Sequence, residues 1–206
     1  MTQKITLQDS IRARARIAGR IRQTALVPSP ALSAASGGAV SLKLESTQIT
    51  GSFKLRGATN AVLSLTEEQR AAGVVGVSTG NHGRGLAYAA AQAGVRCVIC
   101  MSELVPQNKV EGIKSHGAEV RIIGRSQDEA QAEVDRLVAE GMTMLPPFDH
   151  ADIIAGQGTV ALEMLEQMPD LETVLVPLSG GGLNSLSHCQ KVAPLSVTGM
   201  SRIVAT

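Results

Sequence analysis

The sequence predicts an α/β fold with open, mostly parallel sheets and helices on both faces. Two observations predict it. Apolar runs of strand length alternate with segments of helical period along the chain, the pattern of successive βαβ crossovers. The runs at 74–78 and 96–101 are apolar without strict alternation, as strands covered on both faces are. The elements follow in order. Residues 7–17 carry an apolar stripe at helical spacing, with arginines on the wet face. Residues 41–45 (Ser-Leu-Lys-Leu-Glu) alternate with period two and read as a strand. A helix is expected over 52–65, with Ser52 placed to cap it. After the strand at 74–78 comes an Ala-rich helix, 83–92, closed by Gly94. The strand at 96–101 precedes a helix at 107–115 that ends at Gly117. A strand at 119–123, a helix at 127–140 ended by Gly141 and a brief strand at 142–145 follow, the last stopped by Pro146-Pro147. A helix at 159–167 and a strand at 173–177 complete the alternation.

Composition excludes several classes of function. Nineteen basic and 18 acidic residues nearly cancel, so no general electrostatic partnership with nucleic acid or an anionic membrane is expected. Apolar residues make up 44% of the chain, which argues against disorder. Phe53, Tyr88 and Phe148 are the only aromatics, too few to stack single-stranded bases. Three cysteines argue against a disulfide framework. Cys97 and Cys100 form a C-x-x-C within an apolar strand run and read as buried cysteines rather than a redox pair. No metal site is expected. The first 30 residues are Arg-rich but hold no apolar core of signal-peptide length, and Asp9 speaks against a transit peptide. No apolar run is long enough to span a bilayer. The expectation is a cytoplasmic protein that acts on neither membrane nor nucleic acid.

Ligands of open α/β sheets bind beyond the carboxyl ends of strands. Three loops fall there, after Glu45, Val77 and Pro177. In the first, Lys54 lies in the opening turn of a helix beside Phe53. The helix dipole and apolar neighbours push an amine's pKa down, as a nucleophile or base near neutral pH requires. Taken alone, it reads more readily as a snorkelling surface lysine. The second loop, Ser78-Thr79-Gly80-Asn81-His82-Gly83, leaves a strand and opens a helix with small residues that expose N–H groups, fit for a carboxylate or phosphate. A plain helix cap is its ordinary alternative, and its glycines do not follow the dinucleotide order G-x-G-x-x-G. The third, Ser179-Gly180-Gly181-Gly182-Leu183, spends folding entropy on three glycines. Close approach of backbone to a phosphate is the usual return, a flexible turn the alternative. Asp149, His150 and Asp152 read as loop and helix-start residues, His116 as a helix C-terminus residue, and Arg56 as structural. His188 falls in a stretch with little helical periodicity.

Together these loops resemble the threonine/serine dehydratase branch of the fold type II pyridoxal-phosphate enzymes. The matching stretches are Thr50-Gly51-Ser52-Phe53-Lys54-Leu55-Arg56-Gly57-Ala58, Ser78-Thr79-Gly80-Asn81-His82-Gly83, Gly156-Gln157-Gly158-Thr159 and Ser179-Gly180-Gly181-Gly182-Leu183. The wider wording, including Leu42-Lys43-Leu44-Glu45 and Pro146-Pro147-Phe148-Asp149, is similar to a dehydratase of hydroxyectoine utilisation. The resemblance implies pyridoxal 5'-phosphate as cofactor. It implies that Lys54 holds the cofactor as a Schiff base and is then the base at the substrate Cα. Asn81 would bond the ring hydroxyl and Phe53 would flank the ring. Ser179, Gly180, Gly181, Gly182 and Leu183 would cradle the phosphate. Ser78, Thr79, Gly80 and His82 would receive the substrate carboxylate.

The implied reaction is elimination of a β-hydroxyl from a small amino acid such as threonine or serine, yielding a 2-keto acid and ammonia. Relatives usually form homo-oligomers. β-Replacement or racemisation on the same fold are the alternatives, as is an inactive fragment or a cofactor-binding module. The resemblance divides the chain into an incomplete large cofactor domain, 1–50 and 146–206, and a small α/β domain, 51–145. It departs at Ala25, where proline is usual, and it stops at Leu183. The family continues for roughly another hundred residues, so a truncated or frame-shifted member is expected.

Overall fold

The computed structural model describes residues 5–78, 80–177 and 183, together with the backbone of Ser196–Met200. The centre is a four-stranded parallel sheet of order β5-β4-β3-β6, formed by β3 (Val74–Val77), β4 (Cys97–Met101), β5 (Glu119–Ile122) and β6 (Thr143–Met144). Successive residues of a strand face opposite sides, and both sides here are apolar. Val74, Cys97, Ile99 and Met101 pack one way, against α3 (Lys54–Leu63), α5 (Asn81–Ala93) and α6 (Gln107–Lys114). Val75, Val77, Val98 and Cys100 pack the other way, against Ala130, Val134 and Leu137 of α7 (Gln127–Ala139). The α/β expectation is met, with helices on both faces. The same alternation disposes of the C-x-x-C. Cys97 and Cys100 are free and buried on opposite faces of one strand. Burial pushes their thiols up, to about 12 and about 11 respectively.

The helix α1 (Leu7–Ile17) buries Ser10, Ala13 and Ile17. A two-stranded antiparallel sheet then pairs β1 (Leu26–Pro28) with β2 (Ser41–Lys43), flanking α2 (Pro30–Ser36). The expected strand at 41–45 therefore ends two residues early, and it stands outside the parallel sheet. The loop after Glu45 is thus not at the end of a parallel strand. It reaches the site because η1 (Glu45–Thr47) turns the chain and Gly51, at φ +77°, delivers it into α3. A side chain at that φ would be strained. Four short elements were not expected: β1, α2, η1 and α4 (Glu67–Ala72). The last was written in the sequence as a capping box. Thr66 Oγ1 accepts from Gln69 N, and Gln69 answers to Thr66 N.

The longest correction concerns α8. It runs over Ala151–Gln167, where a helix was expected only from 159. His150 caps it by accepting from Asp152 N, and Gly156 and Gly158 lie inside it rather than breaking it. The reason is tertiary. A Cβ on Gly156 would stand 2.6 Å from Gly57 Cα and 2.7 Å from Arg56 O. Here α3 and α8 cross backbone to backbone, a close approach only glycine permits. Gln157 Oε1 accepts from Gly57 N across the same crossing, 3.2 Å.

The strand β7 (Thr173–Pro177) packs Val176 onto Val160, Ala161 and Met164 of α8. It pairs in parallel with β8 (Ser196–Met200), a strand the sequence did not announce. Leu175 on its other side is 61% exposed. Among the described residues no helix is long and apolar enough to cross a membrane.

Candidate active site

The strands β3 and β6 are neighbours, and their carboxyl ends define the site. Ser78 and Gly80 lie between β3 and α5, and residues 145–150 leave β6 for α8. The amino end of α3 arrives beside them. Lys54 is the first residue of α3, and no acidic residue lies in its first turn. Its Nζ donates to Pro147 O at 2.6 Å and sits 5.3 Å from the centroid of the Phe53 ring. Burial lowers the amine's pKa from its ordinary 10.5, the direction expected for a cation taken from water. The helix N-terminus adds to that direction.

His82 lies in the first turn of α5, and its side chain is 3% exposed. Its ring points into the core. Nε2 is 2.8 Å from Leu145 O, and a carbonyl oxygen only accepts, so Nε2 carries the proton. Nδ1 is left as a buried acceptor with no partner. Burial depresses the imidazole to about 4, with the Lys54 charge adding to that and the Leu145 bond opposing it. His82 is therefore neutral at ordinary pH. Ser78 closes the turn, its Oγ accepting from Gly83 N at 2.8 Å and from Gly80 N at 3.3 Å. The remaining first-turn N–H groups of α5 are those a helix leaves for an anion. Asn81 opens the helix and is exposed.

Lys54 of α3 and His82 of α5 thus come within electrostatic reach of each other, each bonded to a carbonyl of the 145–147 segment, with Phe53 next to Lys54 and Ser78, Gly80 and Asn81 just before His82 along the chain. Of the residues singled out in the sequence, Thr79, Ser179, Gly180, Gly181, Gly182 and His188 lie outside the described residues. Leu183 packs against the cluster of α8 and β7 that also receives Phe53. Ser52, expected to cap α3, does not; its hydroxyl is buried without a partner. Thr50 Oγ1 is in the same state. Among the described residues, three of the seven buried polar atoms without partners, on Thr50, Ser52 and His82, therefore flank the Lys54 segment or feel its charge. Such atoms are rare in folded proteins, and each calls for a water, an ion or a ligand as partner.

Two residues beyond Lys54, the chain does the opposite. Arg56 is fully buried and fully paired. It donates to both oxygens of Glu45 at 2.8 Å, and to both oxygens of Glu163 at 2.6 and 2.8 Å. Lys43 Nζ joins the cluster with bonds to Glu163, Gln167 and Thr24 O. Burial alone would depress the guanidinium, but its bonds to Glu45 and Glu163 carry it above its ordinary value. The Glu45 and Glu163 roles were missed in the sequence. The alternation Lys43-Leu44-Glu45 hinted at a charged face, but nothing tied it to a glutamate 118 residues later. A cavity of about 270 Å³ lined by Asp9, Arg12, Arg16, Asn60 and Asp152 lies between α1, α3 and α8, and Lys54 is not among its walls. Among the described residues no cluster of three metal-ligating side chains occurs.

Residues 17–185 match the family described as pyridoxal-phosphate dependent enzyme. The chain belongs to this family. A provisionally named threonine dehydratase of Sinorhizobium fredii is 59% identical over 180 residues, 87% of this chain and 54% of its own. L-threonine ammonia-lyase of Thermotoga maritima is 42% identical over 182 residues, 88% of this chain and 45% of its own. Among solved structures, maize serine racemase superposes with a TM-score of 0.92 at 33% identity, covering 96% of this chain and 61% of that one. A bacterial threonine deaminase, from T.th., gives 0.87 at 37%, covering 94% and 64%. The chain spans about half the length of the curated relatives it matches. The fold type II assignment and the family's cofactor, pyridoxal 5'-phosphate, follow from these matches.

Proposed function

We propose that this chain carries the lysine half of a pyridoxal-phosphate lyase that removes the β-hydroxyl of threonine or serine as water and releases a 2-keto acid and ammonia. The observation that carries it is the state of Lys54. A half-buried amine of lowered pKa, held by one carbonyl and preceded in the chain by the unpartnered buried hydroxyls of Thr50 and Ser52, suits condensation with an aldehyde. The relatives named as threonine dehydratase and threonine ammonia-lyase favour elimination over the racemase activity named for the maize structure.

The residues present fit the cofactor. Lys54 would hold it, Phe53 would flank its ring and Asn81 would bond its hydroxyl. The phosphate falls to Ser179, Gly180, Gly181, Gly182 and Leu183 on the strength of the sequence. When bound, pyridoxal phosphate supplies an electron sink for a carbanion at the substrate Cα. The protein's own part is binding and proton handling. The backbone N–H groups at the start of α5, with Ser78, Thr79 and Gly80, receive the substrate carboxylate. His82 contributes its N–H from the same turn. The Lys54 amine would accept the Cα proton, and burial lowers its pKa, the direction that favours a free amine. A small amino-acid substrate, a cytoplasmic setting and a homo-oligomer for the full-length form belong to the same reading. The narrower placement in hydroxyectoine breakdown rests on sequence likeness alone.

The test is covalent trapping. Incubation with pyridoxal phosphate followed by borohydride should add the reduced cofactor to Lys54 alone, read by peptide mass spectrometry. Lys54→Ala should abolish the adduct and any keto acid formed from threonine. Labelling elsewhere, or none, would sink the assignment.

A further inference from the structure

The segment 145–150 is pinned at four points. Leu145 N donates to Val75 O at 3.0 Å, continuing the sheet ladder. Leu145 O accepts from His82 at 2.8 Å. Pro147 O accepts from Lys54 at 2.6 Å. His150 caps α8. Between the last two, Asp149 takes the left-handed conformation at φ +48°, one that aspartate tolerates better than most residues, and this bends the segment into a strap. The strap is bound by side chains from two helices, α5 through His82 and α3 through Lys54, and its two accepting carbonyls are two residues apart. Two consecutive prolines, Pro146 and Pro147, restrict the backbone between them.

We propose that His82 is a positioning residue for Lys54: by donating to Leu145 O it fixes the strap whose Pro147 carbonyl holds the amine in place before the cofactor arrives. The proposal deepens the reading of Lys54 as the attachment lysine and rests on it. It gives the buried imidazole a task other than substrate contact. The bond orients Leu145 O; the prolines transmit that orientation to Pro147 O; and the carbonyl keeps a half-buried amine from swinging into solvent. The groups are close enough to sense each other, since the Lys54 charge acts on His82. Among the described residues Lys54 is the charge that acts on the imidazole, and burial is what depresses the amine. A loosened strap lets water reach the amine and relieves that burial.

The experiment uses the full chain and needs no cofactor in its first arm. Trace acetylation is followed between about pH 6 and 11, and the Lys54 peptide is quantified by mass spectrometry. In the parent protein, Lys54 should titrate below the ordinary 10.5. His82→Leu, which removes the donor, should raise that midpoint and slow acetylation at pH 8 by about 3-fold or more. His82→Gln, whose amide can donate from nearly the same place, should restore the parent profile. In the second arm, borohydride-trapped pyridoxal phosphate should attach to Lys54 more slowly in His82→Leu and at the parent rate in His82→Gln.

A folded His82→Leu with an unchanged Lys54 titration overturns the proposal, as does a folded His82→Gln that behaves like His82→Leu. Where circular dichroism shows His82→Leu unfolded, Pro147→Gly decides. It frees the backbone that presents the carbonyl and must raise the midpoint in the same way; an unchanged midpoint overturns the proposal. The two readings fail separately. A titration that shifts as expected in a protein whose Lys54 takes up no cofactor removes the enzyme assignment and leaves the strap standing.

Discussion

Lys54 and Arg56 are two cations on the first turn of one helix, and the chain treats them in opposite ways. Arg56 is driven wholly inside and given two carboxylates in bidentate geometry. Lys54 is drawn half inside and given one neutral carbonyl. The guanidinium is pushed up by its partners and the amine down by its burial. A planar fork with five donors can satisfy two carboxylates and become structure. An ammonium with one neutral acceptor stays chemically available. A three-residue stretch thus holds both a structural anchor and the candidate nucleophile, and the difference lies in what tertiary neighbours supply.

Breaking the anchor should cost most. Arg56→Met leaves Glu45 and Glu163 facing each other without their shared counter-ion, and a loss of about 3–5 kcal/mol is expected from urea unfolding. Soluble protein of parent stability would show that the cluster does not hold α3 to α8. The next effect is one of pH and belongs to the other side of the comparison. His82 sits at about 4 when folded against 6.5 as a free side chain, so protons bind the unfolded chain more readily. Its contribution is intact above pH 6.5 and drains away as pH falls toward 4, about 3 kcal/mol in all. The acid-induced loss of stability should be shallower by about that amount in His82→Gln, measured between the same pH limits.

A smaller effect tests the crossing that places both cations. Gly156→Ala puts a methyl against the backbone of Gly57 and Arg56, and about 1–3 kcal/mol should be lost through overpacking. Smallest of all is Lys54→Met. It removes a partly desolvated charge and one hydrogen bond while keeping the apolar stem, so stability should change by less than about 1 kcal/mol. A loss comparable to that of Arg56→Met would erase the distinction drawn between the two residues.

Some of this was legible in the chain itself. Apolar period alone gave the four parallel strands and their helices, because strand and helix patterns are local. The lysine and the Ser78 loop stood out in the chain as candidates because of their residue types, while the triple glycine lies outside the described residues. The buried cysteines were legible too, since a C-x-x-C inside an apolar run has nowhere to go but the sheet. The full length of α8 was not. Two glycines within eight residues of its start argue against a helix locally, and only the crossing with α3 turns them into an asset.

The sequence alone determined the sheet and the family and singled out Lys54 as the candidate amine, all of which rest on near neighbours along the chain. Tertiary structure decided which of the two cations is neutralised, where the amine rests, and that His82 faces a carbonyl of the core rather than the mouth of the site. Those outcomes depend on Glu163, Leu145 and Pro147, which lie 63 to 107 residues away from their partners. No local propensity encodes a hydrogen bond across that separation; packing the helices does.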